Sequence, residues 1–225
     1  WRLVLERDDA SRFRVIHRRD DTPGTVAHPG TATHPGVEED AVVDWSLTGA
    51  YNARNALAAL AVASRCGVDL ARSAAALSRF LTPRRRQEVR GEVNGIQVID
   101  DFAHHPTAIA ATLSGLRAAT PRGRLLALIE PRSNTMRLGT LRSRLAHSVA
   151  DADAVWWYQP EGLDWSLDAV LEESPVAAAC ESDIATLVAA VVAQARRYDR
   201  IVVMSNGGFG GIHERLLAAL EVAHG

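Results

Sequence analysis

The 225-residue sequence contains no lysine; all 25 basic residues are arginine. That absence removes every chemistry that needs a lysine amine, including a P-loop lysine, a Schiff base and a carbamylated metal ligand. Any cation acting on a phosphate in this chain is an arginine, a histidine, a metal ion or a backbone amide. Cysteine is scarce too. Cys66 and Cys180 stand far apart and outside any CxxC or CxxH spacing, which argues against a disulfide framework or a zinc site and fits a reducing cytoplasm. No apolar run approaches the roughly 18 to 20 residues that cross a bilayer, and the amino terminus lacks the order of a secretory signal. The formal charge is only −2, which gives no reason to expect nucleic acid or an anionic membrane as a partner. What is present is an ordinary globular composition, 47% hydrophobic and 23% charged, over a length that suits one or two domains.

The chain opens at Trp1 without an initiator methionine and runs straight into strand-like Leu3-Val4-Leu5, as expected of a piece of a longer polypeptide. Residues 3–6, 13–17 and 41–45 read as short strands. The stretch 20–40, with His-Pro-Gly triplets at 28–30 and 34–36, reads as a surface loop rather than a metal-binding tract. From Asn52 the period turns helical, with Gly67 as the stop, and a second helix is predicted over 69–80 with Asp69 as its cap. The arginine run 84–86 marks a domain boundary, giving units 1–83 and 84–225. Beyond it Asn94-Gly95 signals a hairpin between 88–93 and 96–99. Strands at 125–129, 154–158, 176–180 and 201–204 then alternate with helices at 106–119, 141–149, 167–173, 184–196 and 211–222. That alternation predicts a doubly wound, Rossmann-like α/β domain with a mostly parallel sheet, whose ligands sit at the carboxyl ends of the strands.

Polar segments directly after those strands are therefore the places to look for chemistry. Asp100 to Pro106 sets two carboxylates and two imidazoles within six residues, able to position a phosphate or an attacking group, or alternatively to cap a helix. Its spacing is not that of a transition-metal site, and no metal ligand is assigned. Glu130 to Arg137 offers two arginines with serine, asparagine and threonine, suited to bidentate capture of carboxylate or phosphate, or equally to a solvated loop. Ser205 to Gly211 carries four glycines before a helix, letting backbone amides approach an anion or simply packing strand against helix. It matches neither GxGxxG nor the Walker pattern. Asn52 and Asn55 lie one turn apart at the start of a helix, where they could read a base edge or act as caps.

Taken in order, these segments resemble the Mur ligases. GxxNxxNA before an alanine-rich helix, then the arginine cluster, then DDxAHHPT are similar to that family's central-domain exit and C-terminal-domain entry. The segments EPRSNTM and SNGGFGGIH are similar to the branch that acts on the murein tripeptide L-alanyl-γ-D-glutamyl-meso-diaminopimelate. The resemblance runs from about Trp45 to Leu217. It implies an ATP- and Mg²⁺-dependent cytoplasmic ligase of peptidoglycan recycling, with UDP-N-acetylmuramate and the tripeptide as substrates. On this reading residues 1–83 are the tail of a P-loop central domain, 84–225 are the acceptor domain, and the P-loop lies in a segment outside the chain. The resemblance further implies that Asn52 and Asn55 meet adenine and that Arg86 reaches ATP. Asp101 and His104 would face the nucleotide and phosphate. Arg132, Ser133, Asn134 and Arg137 would recognise acceptor carboxylates, with Ser205, Asn206, Gly207 and Gly208 as the pocket floor. Tyr51 stands where the family often has histidine, and Phe102 where tyrosine is common. An L-alanine-adding ligase and a non-catalytic binding module derived from the fold are the alternatives.

Overall fold

A computed structural model describes residues 1–19, 37–120, 122–132, 141–159, 163 and 165–225. The chain divides into two compact units, Trp1–Leu81 and Thr82–Gly225.

The first unit is an antiparallel meander with two helices. β1 (Arg2–Leu5), β2 (Arg12–Arg19) and β3 (Val37–Asp44) pair in sequence order. They are followed by α1 (Ala50–Arg65) and α2 (Leu70–Leu77). β3 begins at Val37, inside the stretch expected to be loop. Its first residues are acidic and lie opposite Arg18 and His17, and cross-strand charge pairs stabilise a strand that has no apolar alternation to announce it. The His-Pro-Gly triplets lie outside the described residues. Phe13 and Trp45 meet edge to face at 5.3 Å, and the Trp45 indole donates to the Ala10 carbonyl at 3.2 Å, closing a core that takes in Leu60 and Leu70. The Asp69 carboxylate accepts from the Arg72 amide at 3.0 Å, as a cap should. α2 ends three residues short of the predicted Phe80.

The second unit holds a six-stranded sheet. Its strands are β4 (Glu88–Val93), β5 (Ile96–Asp101), β6 (Leu125–Ile129), β7 (Ala154–Tyr158), β8 (Ala177–Glu181) and β9 (Arg200–Met204). Their order is β4-β5-β9-β6-β7-β8, with only β4 antiparallel. The β4–β5 turn has both Asn94 and Gly95 at positive φ (49° and 80°), the geometry of the tightest hairpin turn. Helices α3 (Pro106–Ala118), α4 (Arg142–His147) and α5 (Asp168–Glu172) follow β5, β6 and β7. α6 (Ile184–Gln194) and α7 (Ile212–His224) flank β9.

Side chains alternate across the strands, so that Ile99, Ala127, Ile129, Trp157 and Met204 pack with α3, α4 and α5. Val98, Leu126, Leu128, Trp156 and Val203 pack with α6 and α7 on the other face. A sheet buried on both faces needs near-continuous apolar strands, and all five residues of β6 are buried. Because β9 lies between β5 and β6, the helices that follow β5 and β6 pack on one face of the sheet and the helix that follows β9 packs on the other. The carboxyl ends of these three strands form the topological switch point where ligands bind in such sheets.

Candidate functional site

The end of β5 is set by Asp101, a carboxylate only 1% exposed. One oxygen accepts from the Ala103 amide at 2.8 Å and the Thr112 hydroxyl at 3.2 Å, and the other from the Gln87 amide at 3.0 Å. Burial pushes this carboxyl above its ordinary value, and the three donors and the Arg86 charge offset that only in part. Asp101 therefore ties the arginine run to the strand end and to α3. Next to it, His104 Nδ1 donates to the Phe102 carbonyl at 2.8 Å, so the neutral ring carries its lone pair on Nε2. His105, by contrast, caps α3: its Nδ1 accepts from the Thr107 amide at 3.2 Å.

The ends of β6 and β9 are joined by a second pair. The Ser205 hydroxyl donates to Glu130 Oε2 at 2.5 Å and accepts from the Gly207 amide at 2.9 Å. Both side chains are buried. The Ser205 amide donates to the Asp101 carbonyl at 3.3 Å, and the Arg132 amide to the Glu130 carbonyl at 2.9 Å. All three strand ends are thus linked. The Arg132 side chain then crosses directly over Gly207. A Cβ at residue 207 would lie 2.3 Å from Arg132 Nη1, so only glycine leaves the guanidinium this position. Gly208 faces open space. The Asn206 amide oxygen is buried with no donor among the described residues, which leaves an acceptor for a ligand to satisfy.

The arginine run divides its labour. Arg86 is exposed, whereas Arg85 turns inward. Its Nη2 donates to the Ser205 carbonyl at 2.5 Å, its Nε lies 3.3 Å from Asp100, and its guanidinium sits 5.2 Å from the Phe102 ring centre. The 2%-exposed Asp100 also meets Arg90 at 3.7 Å and His213 at 3.4 Å. Burial works to raise the Asp100 carboxyl, but His213 and Arg85 outweigh it and hold it below the usual range. Glu130, Asp100 and Arg85 lie in segments that the sequence marks, but no pattern gives any of the three a role of its own. A lone acid ending an apolar run carries no spacing signal, and three consecutive arginines look alike until the backbone decides which one turns inward.

Of the predicted residues, Asp101, His104, Arg132, Ser205, Asn206, Gly207 and Gly208 meet at this switch point, and Arg86 adjoins it through Asp101. Ser133, Asn134 and Arg137 lie outside the described residues. Asn52 and Asn55 belong to the first unit, where Asn52 Nδ2 donates to the Thr48 carbonyl at 2.8 Å and Asn55 is exposed. Among the described residues no three histidine, cysteine or acidic side chains gather closely enough to hold a metal ion. With both Asp101 oxygens already engaged, the residues present do not fit Mg²⁺. They suit anionic groups better, through Arg86, Arg132 and the open amides after Ser205.

Cations and glycine-rich backbone at the switch point of a doubly wound α/β domain define a class of fold whose ligands sit at the carboxyl ends of the strands. The model of the Mur ligase glutamate ligase domain matches residues 85–207, more than half of the chain, which therefore belongs to the Mur ligase family. A UDP-N-acetylmuramate–L-alanyl-γ-D-glutamyl-meso-2,6-diaminoheptandioate ligase of Escherichia coli is 48% identical over 81% of this chain and 40% of its own length. The Haemophilus influenzae protein of the same name is 41% identical over 99% of this chain and 45% of its own length. The solved murein peptide ligase of Psychrobacter arcticus superimposes with a TM-score of 0.66 at 40% identity, covering 97% of this chain and 44% of that one. The chain thus spans less than half the length of these relatives.

Proposed function

We propose that this chain is the acceptor-binding part of an ATP-dependent cytoplasmic ligase that joins L-alanyl-γ-D-glutamyl-meso-diaminopimelate to UDP-N-acetylmuramate in peptidoglycan recycling. The observation that carries the reading is the Arg132 guanidinium laid over Gly207 at the carboxyl ends of β6 and β9. Its support is the identity to two relatives whose names specify that tripeptide. A peptide with several carboxylates calls for a fork-shaped cation beside backbone that can come close, and Arg132, Gly207 and Gly208 offer both.

ATP, when bound, supplies the phosphoryl group that makes the lactyl carboxylate of UDP-N-acetylmuramate an acyl phosphate open to attack by an amine. The part left to this chain is placement. Arg132 takes an acceptor carboxylate, Ser205 holds the loop that presents Gly207 and Gly208, and Asn206 accepts from the peptide's N–H groups. Arg86 meets phosphate, and His104, held by Phe102, faces the transferring group. Asp101 acts as a positioning residue through the amides of Gln87 and Ala103. Asn52 and Asn55 are assigned to adenine. The P-loop and the UDP-sugar site belong to other segments of the same protein. Orientation of this kind lowers a bimolecular barrier by several kcal/mol, about 7–11 at best.

A second reading is an L-alanine-adding enzyme, because a ligase of that name from Roseiflexus is 43% identical over 52% of this chain. Calorimetric titration separates the two. The tripeptide is expected to bind saturably, L-alanine at the same concentrations not at all, and Arg132→Gln to weaken the tripeptide at least tenfold. Binding of L-alanine in preference to the tripeptide would overturn the assignment.

A further inference from the structure

The opposite end of the sheet carries a second polar concavity. The β4–β5 turn, the residues before β6 and the turn before β9 line an open concavity of about 690 Å³ at the amino ends of the strands. Arg122, Arg197 and Arg200 line it together with Tyr198, and the one carboxylate in its wall is Glu92, which accepts from Gln97 Nε2 at 2.9 Å. Three guanidiniums against one carboxylate leave a net lining charge of +2.

The neighbouring acid does not neutralise these arginines, because it is committed elsewhere. Asp199, 2% exposed, takes Arg124 Nη2 at 2.6 Å and the Arg124 and Arg196 amides at 3.1 and 2.8 Å. Arg200 is half-buried, and its Nη1 donates to the Thr120 hydroxyl at 2.7 Å. Burial alone pulls its pKa down, with no carboxylate to raise it, and a guanidinium stays charged regardless. Arg197 lies over the Tyr198 ring at 4.9 Å from its centre.

The walls are also rigid. Tyr198 sits at φ 75°, a conformation non-glycine residues rarely adopt, and its amide donates to the Gly95 carbonyl at 3.1 Å. A Cβ at residue 123 would lie 1.9 Å from the Tyr198 carbonyl oxygen, so the two turns meet backbone to backbone. Like charges held around one preformed concavity repel one another until an anion enters.

We infer that this cavity is a second anion site, taking a small ligand that carries a pyrophosphate group. One phosphate satisfies one guanidinium fork, whereas two linked phosphates span several and match the lining charge. Inorganic pyrophosphate and a nucleoside diphosphate share that chemistry. The inference is independent of the acceptor reading, since no residue is common to the two sites.

The test is titration of the 225-residue chain with inorganic pyrophosphate and, separately, with uridine diphosphate, followed by calorimetry and by backbone amide shifts. Saturable one-to-one binding is expected, with shifts at Gly95, Gly123 and Tyr198. Arg122→Gln with Arg197→Gln, both exposed positions, should weaken it at least tenfold, and Arg200→Lys should weaken it while keeping the charge. Tighter binding of uridine diphosphate that Tyr198→Ala abolishes would place the nucleoside on the ring; equal affinities would confine recognition to the pyrophosphate. Absence of saturable binding, shifts confined to residues 205–208, or a double variant that binds as the wild type would each overturn the inference.

Discussion

At the scale of single residues, the site depends on which polar atoms are already occupied. The Ser205 hydroxyl spends its one proton on Glu130 and accepts from the Gly207 amide, so its contribution is to hold the loop. Ser205→Ala leaves a buried carboxylate and an amide without that partner and is expected to lower the unfolding free energy by about 1–3 kcal/mol in urea denaturation; an unchanged midpoint would refute the role. Gly207→Ala works differently, because the atoms its methyl would meet belong to the flexible Arg132 side chain. Stability should stay within about 0.5 kcal/mol, while tripeptide affinity measured by calorimetry falls about tenfold, 1.4 kcal/mol. Sequence indicated Arg132 and the glycines by their place after apolar strands. It could not indicate that Arg132 and Gly207, 75 positions apart, touch, nor that Asp101 spends both oxygens on its own chain.

At the scale of elements, the alternation of strand and helix beyond residue 88 was legible because each apolar run of about five residues is bounded by polar or glycine-rich turns. The insertion of β9 between β5 and β6 was not, since nothing in a strand's own pattern names its neighbours. β3 starts four residues before the expected Ala41 because its first half carries the acids Glu38, Glu39 and Asp40 in place of an apolar alternation, with Asp40 paired to Arg14. Asp100 couples β5 to Arg90 on β4 and His213 on α7. Its folded pKa lies below the unfolded one, so its stabilisation is present above the ordinary carboxylate value and lost as pH falls through the folded value. Asp100→Asn should therefore flatten the decline of the thermal midpoint below about pH 4. An equally steep decline in the variant would show that other carboxylates carry the acid sensitivity.

At the scale of the whole molecule, the chain belongs to the Mur ligase family yet spans less than half the length of the relatives described above. It contains no GxxxxGK[ST] and no lysine, so on the proposed function the γ-phosphate would be cradled by residues outside these 225. The 225 residues alone are expected to give no ATP-dependent ligation of the tripeptide to UDP-N-acetylmuramate. Turnover by the purified chain would contradict the division of labour proposed here. The P-loop's absence was plain in the sequence, as was the family through its ordered motifs. What the sequence left out was the cavity at the far end of the sheet, whose arginines come together only when three turns pack against one another.

The central claim is that the acceptor binds at the carboxyl ends of β5, β6 and β9, and amide shift mapping during titration with the tripeptide tests it most directly. The account predicts saturable shifts at Asn206, Gly207 and Gly208, at Ala103 and His104, and at the Arg132 side-chain Nε, with little change at Gly95 or Tyr198. Shifts centred on Gly95, Gly123 and Tyr198, or none at concentrations that saturate the relatives, would contradict it.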